Sequence, residues 1–125
     1  MLDTSVLIKA PTVPKEIEAA ISVISIAELH FGLLVARDAA TRAERATQMA
    51  IIESSFRSLP VDERVARVFG RLKAAVAERG GQPRRRLADL AIAATAVAHD
   101  AVLITANPKD LTIVKDLVVC RELTG

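Results

Sequence analysis

Short apolar segments alternate with longer stretches of helical periodicity along the chain, and this alternation restricts the fold more than any other feature. Each apolar segment is long enough for only one short strand. Strands that alternate with helices form parallel sheets whose two faces are both covered by helices. The strand candidates are Met1–Leu2, Ile21–Ile24, Leu59–Val61, Ala101–Ile104 and Val118–Cys120.

The predicted helices differ in how clearly the sequence marks their ends. Asp62 is placed to cap a long helix that carries a three–four apolar stripe, and Gly80-Gly81 ends that helix. The last predicted helix, Leu87–His99, is almost wholly apolar, so we expect it to be the most deeply buried. The other predicted helices are Lys15–Ala20, Ser25–Arg37 and Ala40–Phe56.

Size and composition indicate a single domain that spans residues 1–125 and has no membrane segment. The longest uncharged stretch in the strongly apolar region, Leu90–Ala98, is far shorter than the roughly 20 residues that a membrane-spanning helix requires. The single cysteine, Cys120, cannot form an internal disulfide, which is typical of proteins from a reducing compartment. We therefore expect a soluble, cytoplasmic protein.

Four acidic residues, far apart in sequence, stand where an apolar strand ends or a helix begins: Asp3, Glu28, Asp89 and Asp110. In parallel sheets, polar groups that follow the strands gather at one edge. Burying a carboxylate is costly unless a positive group pairs with it. Because no Lys or Arg directly adjoins the first three acids, we expect a metal ion to be the positive partner.

Each acid also has a purely structural interpretation. Asp3 can form an Asx turn at a strand end, and Ser25 and Glu28 together match a capping box. Asp89 lies in the first turn of its helix, where the helix dipole favours a carboxylate, and Asp110 can form a solvent-exposed pair with the preceding lysine. The four acids together favour a metal site more strongly than any one of them does.

Carboxylate oxygens are the ligands that Mg²⁺ and Mn²⁺ prefer, and Mg²⁺ often uses one or two carboxylates together with substrate phosphate. A bound metal makes water a better nucleophile and neutralises the transition state of phosphodiester hydrolysis. We therefore predict metal-dependent phosphodiester hydrolysis. Four further polar residues are candidates for orienting water or the carboxylates, namely Thr4, Ser5, Thr105 and Asn107.

Four motifs resemble those of PIN-domain ribonucleases, and most closely the VapC-type toxins of toxin–antitoxin pairs. They are Leu-Asp-Thr-Ser-Val-Leu-Ile at 2–8, Ser-x-x-Glu-Leu-x-x-Gly at 25–32, Leu-Ala-Asp-Leu-x-Ile-Ala-Ala at 87–94 and Leu-Ile-Thr-x-Asn-x-x-Asp-Leu at 103–111. The resemblance implies a three-layer α/β/α sandwich around a parallel sheet of four or five strands. It also implies an Mg²⁺- or Mn²⁺-dependent endoribonuclease that cuts single-stranded or looped RNA, such as tRNA, rRNA or mRNA.

The resemblance also assigns roles to the acids. It places Asp3, Glu28 and Asp89 in the acidic core, with Asp3 and Asp89 as the metal ligands. The family often has a fourth acid where this chain has Asn107, and Asp110 follows three positions later. The resemblance therefore leaves open whether Asn107 or Asp110 completes the site, and whether the site holds one metal ion or two.

The resemblance implies a homodimer that is silenced by a VapB-type antitoxin. Five apolar residues on adjacent predicted helices form either an apolar groove for a partner helix or part of the core. They are Phe31, Leu34, Met49, Ile52 and Phe56. Three consecutive arginines just before Asp89 are candidate contacts to RNA phosphates, or a solvated helix entry. These are Arg84, Arg85 and Arg86.

Two other functions remain as alternatives. A catalytically inactive module that binds RNA would keep the same fold. A phosphoacceptor receiver domain also has a parallel sheet and an acidic Mg²⁺ pocket, but it requires paired acids after the first strand, where this chain has only Asp3. His30, His99 and Cys120 are not expected to be metal ligands; we expect Cys120 to act as a small buried apolar residue.

Overall fold

The computed structural model describes residues 1–9 and 19–122, which form five α-helices and four short strands. Two 3-10 helices, Pro83–Arg86 and Pro108–Val114, complete the described structure. The strands are β1 (Ala20–Ser22), β2 (Arg57–Leu59), β3 (Leu103–Thr105) and β4 (Cys120–Glu122). The α-helices are α1 (Thr4–Lys9), α2 (Val23–Leu34), α3 (Ala39–Ser55), α4 (Glu63–Glu78) and α5 (Leu87–Ala98).

Leu2 joins the strands into one parallel arrangement. β1 pairs with β2, and β3 pairs with β4, in both cases in parallel. Leu2 forms parallel bridges to Ile21 of β1 on one side and to Ile104 of β3 on the other. The order is therefore β2, β1, Leu2, β3, β4. The predicted first strand is reduced to this one residue at the centre of the sheet, which places Asp3 at the middle of its carboxyl edge.

Neighbouring residues of the sheet pack into two different apolar clusters. Met1 and Leu103 belong to a large cluster with α4 and α5, whereas Leu2 belongs to a smaller cluster that includes residues of α1 and α3. Ile104, next to Leu103, also packs against the smaller cluster. Since successive side chains of a strand point to opposite faces, this alternation places helices on both faces. The predicted three-layer α/β/α sandwich is confirmed.

The predicted boundaries near the first long helix are wrong by a few residues. Ser22, rather than Ser25, caps α2, because its side chain accepts a hydrogen bond of 3.1 Å from the Ile24 N–H. The apolar run that predicted a strand over Ile21–Ile24 therefore continues into the helix. Of the predicted helix over Lys15–Ala20, residues 15–18 lie outside the described residues, and the last residue belongs to β1.

The second strand ends before Pro60 instead of including it. Proline has no N–H to donate to a neighbouring strand, so β2 ends at Leu59 and Val61 is exposed. This outcome corrects the predicted strand over Leu59–Val61.

The helices with strong patterns lie within two residues of their predicted bounds. Asp62 caps α4 by accepting a hydrogen bond from the Val65 N–H, and the chain leaves that helix through Gly80 at φ 84°. Every residue of α5 from Leu90 to Ala96 is buried, which confirms the deep burial predicted for this helix. The sequence interpretation assigned only turn or cap chemistry where α1 lies.

Among the described residues, no helix combines the length and apolar character needed to cross a membrane.

Candidate active site

Asp3 lies at the carboxyl edge of the sheet and is held by two hydroxyl groups. Its backbone N–H donates to Ile104, which continues the parallel pairing. The Ser5 hydroxyl donates to Asp3 Oδ2 at 2.7 Å, and the Thr105 hydroxyl donates to the same oxygen at 2.9 Å. Asp3 directly follows Leu2 in the central strand position, and Thr105 ends the neighbouring strand β3, so the sheet itself brings these groups together.

Glu28 lies in the second turn of α2 and is held by Thr4. The Thr4 hydroxyl donates to Glu28 Oε1 at 2.5 Å and also lies 3.0 Å from the Ser25 hydroxyl. Ser25 is fully buried inside the helix, so the capping-box interpretation of Ser25 and Glu28 is wrong. Among the described residues only Thr4 bonds to this carboxylate, which leaves Oε2 open to a ligand.

Asp89 lies near Asp3 because of the direction of α5. That helix leads through a short loop into β3, so its first turn lies at the carboxyl edge of the sheet. Burial, followed by the charges of Asp3, Asp110 and Glu28, raises the pKa of Asp89 to about 6, and Arg86 opposes this rise. The charges of the other three predicted acids thus all act on Asp89.

Asp110 is joined to Asp89 through an arginine. Arg86 Nη2 lies 3.3 Å from Asp110 Oδ1, and Arg86 Nη1 lies 3.7 Å from Asp89 Oδ2. Although no Lys or Arg adjoins Asp89 in sequence, Arg86 therefore provides a positive partner for it in the fold. The alternative of a solvent-exposed pair between Asp110 and its neighbouring lysine is wrong, because Asp110 pairs with Arg86 and its side chain is only 33% exposed.

The remaining polar candidates divide into two groups. Ser5 and Thr105 bond both to Asp3 and to the following loop: the Ala106 N–H donates to Ser5, and the Asn107 N–H donates to Thr105. Asn107 itself is exposed, and its side chain makes no capping hydrogen bond to the 3-10 helix that it precedes. Its backbone, rather than its amide group, belongs to the network around Asp3.

The described carboxylates fit a metal ion that takes few protein ligands. In residues 1–9 and 19–122, no three His, Cys, Asp or Glu side chains form a cluster that could hold a metal ion. Mg²⁺ does not require such a cluster, since it commonly binds through one or two carboxylates and retains waters. Burial, followed by the nearby negative charges, raises the pKa of Asp89, and a cation bound beside this carboxylate would favour its ionised form. All the donors are oxygens, so the residues fit Mg²⁺ or Mn²⁺.

Sequence interpretation missed Arg86 as part of the site and grouped it only with candidate phosphate contacts. The available signal was its spacing, because a residue three positions before Asp89 at a helix start lies on the same side. Its pairing with Asp110 depends on how the second 3-10 helix folds back, which no local pattern shows. His30 and His99, which were not expected to be ligands, are exposed.

The model of the PIN domain family matches residues 1–115. The chain belongs to the PIN-domain family. Among curated relatives, it is 39% identical to ribonuclease VapC5 of Mycobacterium tuberculosis over 113 residues, which cover 84% of this chain and 80% of the relative. It is 38% identical to ribonuclease VapC8 of the same species over 102 residues, with 77% and 88% covered. This PIN-domain chain is therefore of the VapC type, and the receiver-domain alternative is excluded.

A solved structure supports the same assignment. The crystal structure of VapBC-5, a member of the VapBC family of toxin–antitoxin systems from Mycobacterium tuberculosis, contains a chain that superposes on this one with a TM-score of 0.76. The two are 29% identical, and the match covers 99% of this chain and 96% of the other.

Proposed function

We propose that this protein is a metal-dependent endoribonuclease that acts as the toxin of a toxin–antitoxin pair. The observation that carries the proposal is the placement of acidic side chains along the carboxyl edge of the sheet, where hydroxyl groups hold Asp3 and Arg86 links Asp89 to Asp110. The relatives named ribonuclease VapC5 and VapC8 support it. The substrate class is single-stranded or looped RNA, such as tRNA, rRNA or mRNA, and residues 1–125 form one nuclease unit.

Asp3 and Asp89 are the proposed metal ligands, and the ion is Mg²⁺ or Mn²⁺. When bound, it lowers the pKa of a water molecule and offsets the negative charge that develops on the phosphate. Thr4, Ser5 and Thr105 have a positioning role, because their hydroxyl groups fix the orientation of Asp3 and Glu28. Oriented ligands need less reorganisation when the substrate arrives.

Glu28 and Asp110 complete the proposed site. The open Oε2 of Glu28 is free to accept a proton from water or to orient it. Asp110 contributes negative charge next to Asp89, and it is therefore preferred to Asn107 as the fourth member of the site.

The decisive test compares two Asp→Asn variants at opposite ends of α5. Asp89→Asn removes a proposed ligand, whereas Asp100→Asn changes an exposed residue just past the other end of α5. Asp100 has a φ of 54°, a conformation that Asn also tolerates. We expect Asp89→Asn to reduce cleavage of total tRNA and rRNA in Mg²⁺ or Mn²⁺ by roughly a hundredfold or more. We expect Asp100→Asn to cut at the wild-type rate.

Several outcomes contradict the proposal. Equal cutting by all three proteins, or cutting that persists in EDTA, shows a contaminating nuclease or a wrong site. If none of the proteins cuts RNA but all bind it, the catalytically inactive RNA-binding module is correct instead.

The proposed contacts to RNA phosphate are the arginines of the first 3-10 helix. Arg84 and Arg85 are exposed and make no ion pair with any other described residue. They are close in sequence to Asp89, so a phosphate bound there lies near the proposed metal ligands. Such contacts make RNA binding weaker as salt concentration rises.

The proposed partner is a VapB-type antitoxin, and the structure changes the surface assigned to it. Met49 and Ile52 are buried, so for them the core interpretation is the correct one. Phe31 and Leu34 are 66% and 65% exposed, and one helical turn separates them on α2. This exposed strip, rather than the whole predicted groove, is the candidate antitoxin contact.

Leu34→Glu is expected to weaken antitoxin binding by at least tenfold while changing the free energy of unfolding by less than about 0.5 kcal/mol, because the side chain is largely exposed. Val119→Glu is the matched control, since Val119 is 64% exposed but lies beside β4. Pull-down with the co-expressed antitoxin and thermal melts provide the two measurements. Equal losses of binding and of stability in Leu34→Glu would disprove this assignment.

A homodimer and a cytoplasmic location belong to the same proposal. Sedimentation of the purified chain tests the first, and fractionation of cells that express it tests the second.

A further inference from the structure

A single guanidinium group bridges two of the four carboxylates. Arg86 approaches Asp89 at 3.7 Å and Asp110 at 3.3 Å. These acids belong to α5 and to the second 3-10 helix, so Arg86 connects two separate segments of the site. An arginine can do this because its planar fork directs donors towards more than one acceptor.

The Arg86 bridge is loose by comparison with another arginine pair in the same molecule. Arg79 contacts Asp116 through two hydrogen bonds, of 2.7 and 3.1 Å, and it also donates to the Ile113 carbonyl. The longer contacts of Arg86 do not reach this bidentate geometry, and its side chain is 48% exposed. Arg79 is thus fixed, whereas Arg86 is free to leave its partners at small cost.

We propose that Arg86 is an exchangeable counter-ion of the carboxylate centre. In the metal-free protein, its guanidinium partly compensates the charges of Asp89 and Asp110. A divalent cation that binds Asp89 brings two positive charges to the same place, and it repels the guanidinium there. Arg86 therefore competes with the metal ion. The inference rests on the proposed metal-dependent function, and it concerns how the site is occupied before metal arrives.

If Arg86 competes with the metal ion, its removal should change metal affinity in the opposite direction from that expected if Arg86 only supports the fold of the site. If Arg86 only held Asp89 and Asp110 in position, its removal would loosen the site and weaken metal binding. If Arg86 competes with the metal, its removal strengthens metal binding. The direction of the change therefore separates the two roles.

The test is a Mn²⁺ titration of the full chain without RNA, by calorimetry or by the paramagnetic resonance signal of free Mn²⁺. We expect Arg86→Ala to lower the Mn²⁺ dissociation constant about three- to tenfold, the effect of losing two weak ion pairs. Arg86→Gln, which retains hydrogen-bonding capacity, should change it in the same direction, and Arg86→Lys should change it less. Arg85→Ala, which removes a neighbouring charge with no such ion pair, should stay within about twofold of wild type.

The same titration separates failure of this inference from failure of the proposed function. Asp89→Asn is included as the variant that lacks a proposed ligand. If wild type binds Mn²⁺ through Asp89 but Arg86→Ala and Arg86→Gln bind it equally or more weakly, the counter-ion role alone is wrong. If wild type and Asp89→Asn both fail to bind Mn²⁺, the proposed metal site is wrong and the counter-ion role is lost with it.

Discussion

The two halves of the carboxylate centre are held in different ways. Asp3 and Glu28, the hydroxyl-held pair, accept short hydrogen bonds from side chains of α1 and β3. Asp89 and Asp110, the arginine-held pair, share one guanidinium at longer distances. Hydroxyl groups orient a carboxylate without neutralising it, whereas an arginine adds positive charge but orients its partners less strictly at these distances.

This difference means that one pair of carboxylates has a fixed geometry, whereas the charge around the other pair can change. In the hydroxyl-held pair, Asp3 lies at the centre of the sheet, because Leu2 and β3 determine where Asp3 and Thr105 lie, and Thr4, the next residue, holds Glu28. The arginine-held pair lies on the first turn of a helix and on a 3-10 helix, at the margin of the site. We infer that the first pair sets the position of a ligand and that the second pair adjusts how strongly the site attracts it.

Thr105→Val is expected to have the largest effect on stability, because it removes a buried hydroxyl group that helps to hold Asp3. That hydroxyl donates to Asp3 and accepts a hydrogen bond from the Asn107 N–H, and Thr105 is 2% exposed. Valine keeps the shape but leaves polar groups without a partner, which costs about 1–3 kcal/mol. Urea denaturation measures the free energy of unfolding, and we expect the loss to be nearly independent of salt.

Thr112→Val is the matched control for this measurement. The Thr112 hydroxyl also makes a hydrogen bond, to the Lys109 carbonyl, but at an exposed position of the second 3-10 helix. Its replacement should change the free energy of unfolding by no more than about 0.5 kcal/mol. Equal losses in the two variants would show that the hydroxyl groups at Asp3 contribute no more to the free energy of unfolding than an exposed hydroxyl does.

Sequence periodicity predicted the long helices well but placed the short strands less accurately, for a physical reason. The strand expected over Ala101–Ile104 begins only at Leu103, because the Ala101 N–H still bonds to Ala96 at the end of α5. The last strand is displaced in the same way, since the Val118 N–H bonds back to Val114. Apolar composition shows that such residues are buried, but not which backbone bonds they have already made.

The sequence predicted those parts of the candidate site whose positions depend only on the order and direction of the strands. Asp3 and the Thr105 loop meet because parallel strands present their ends at one edge. The sequence left open whether Asp89 reaches this edge, and the direction of α5 brings it there. What no local pattern supplied was Arg86, because its pairing with Asp110 depends on the path of the chain after β3. Nor did the capping-box pattern at Ser25 and Glu28 show that Ser22 caps the helix instead.

The raised pKa of Asp89 predicts a smaller, pH-dependent effect in the arginine-held pair. The folded metal-free protein holds a proton on Asp89 up to a pH of about 6, whereas the unfolded chain releases it near the ordinary aspartate pKa of 3.8. The folded state thus binds more protons between these values, and the Asp89 contribution to stability falls as pH rises through that window. Because Asp89 is partly exposed, we expect a total loss of roughly 1 kcal/mol.

The difference between wild type and Asp89→Asn isolates this contribution from the other titrating carboxylates. In EDTA, the variant should gain stability relative to wild type as pH rises from about 4 to 7, and the gain should level off above that range. The nearby charges on Asp3, Asp110, Glu28 and Arg86 are present in both proteins. A difference that does not change with pH would show that Asp89 carries no unfavourable charge in the fold.

The smallest expected effect comes from Arg86→Met, which removes the charge of the bridge and keeps much of the apolar stem. Two long, partly exposed ion pairs contribute little to folding, so the variant should lose less than about 0.5 kcal/mol at low salt. That loss should disappear near 1 M NaCl, where salt screens exposed charges. Arg79→Met, which breaks the bidentate pair with Asp116 and the bond to Ile113, should lose more and keep part of its loss at high salt. A large, salt-resistant loss in Arg86→Met would mean that both halves of the site are equally rigid, and the distinction between fixed geometry and adjustable charge would not hold.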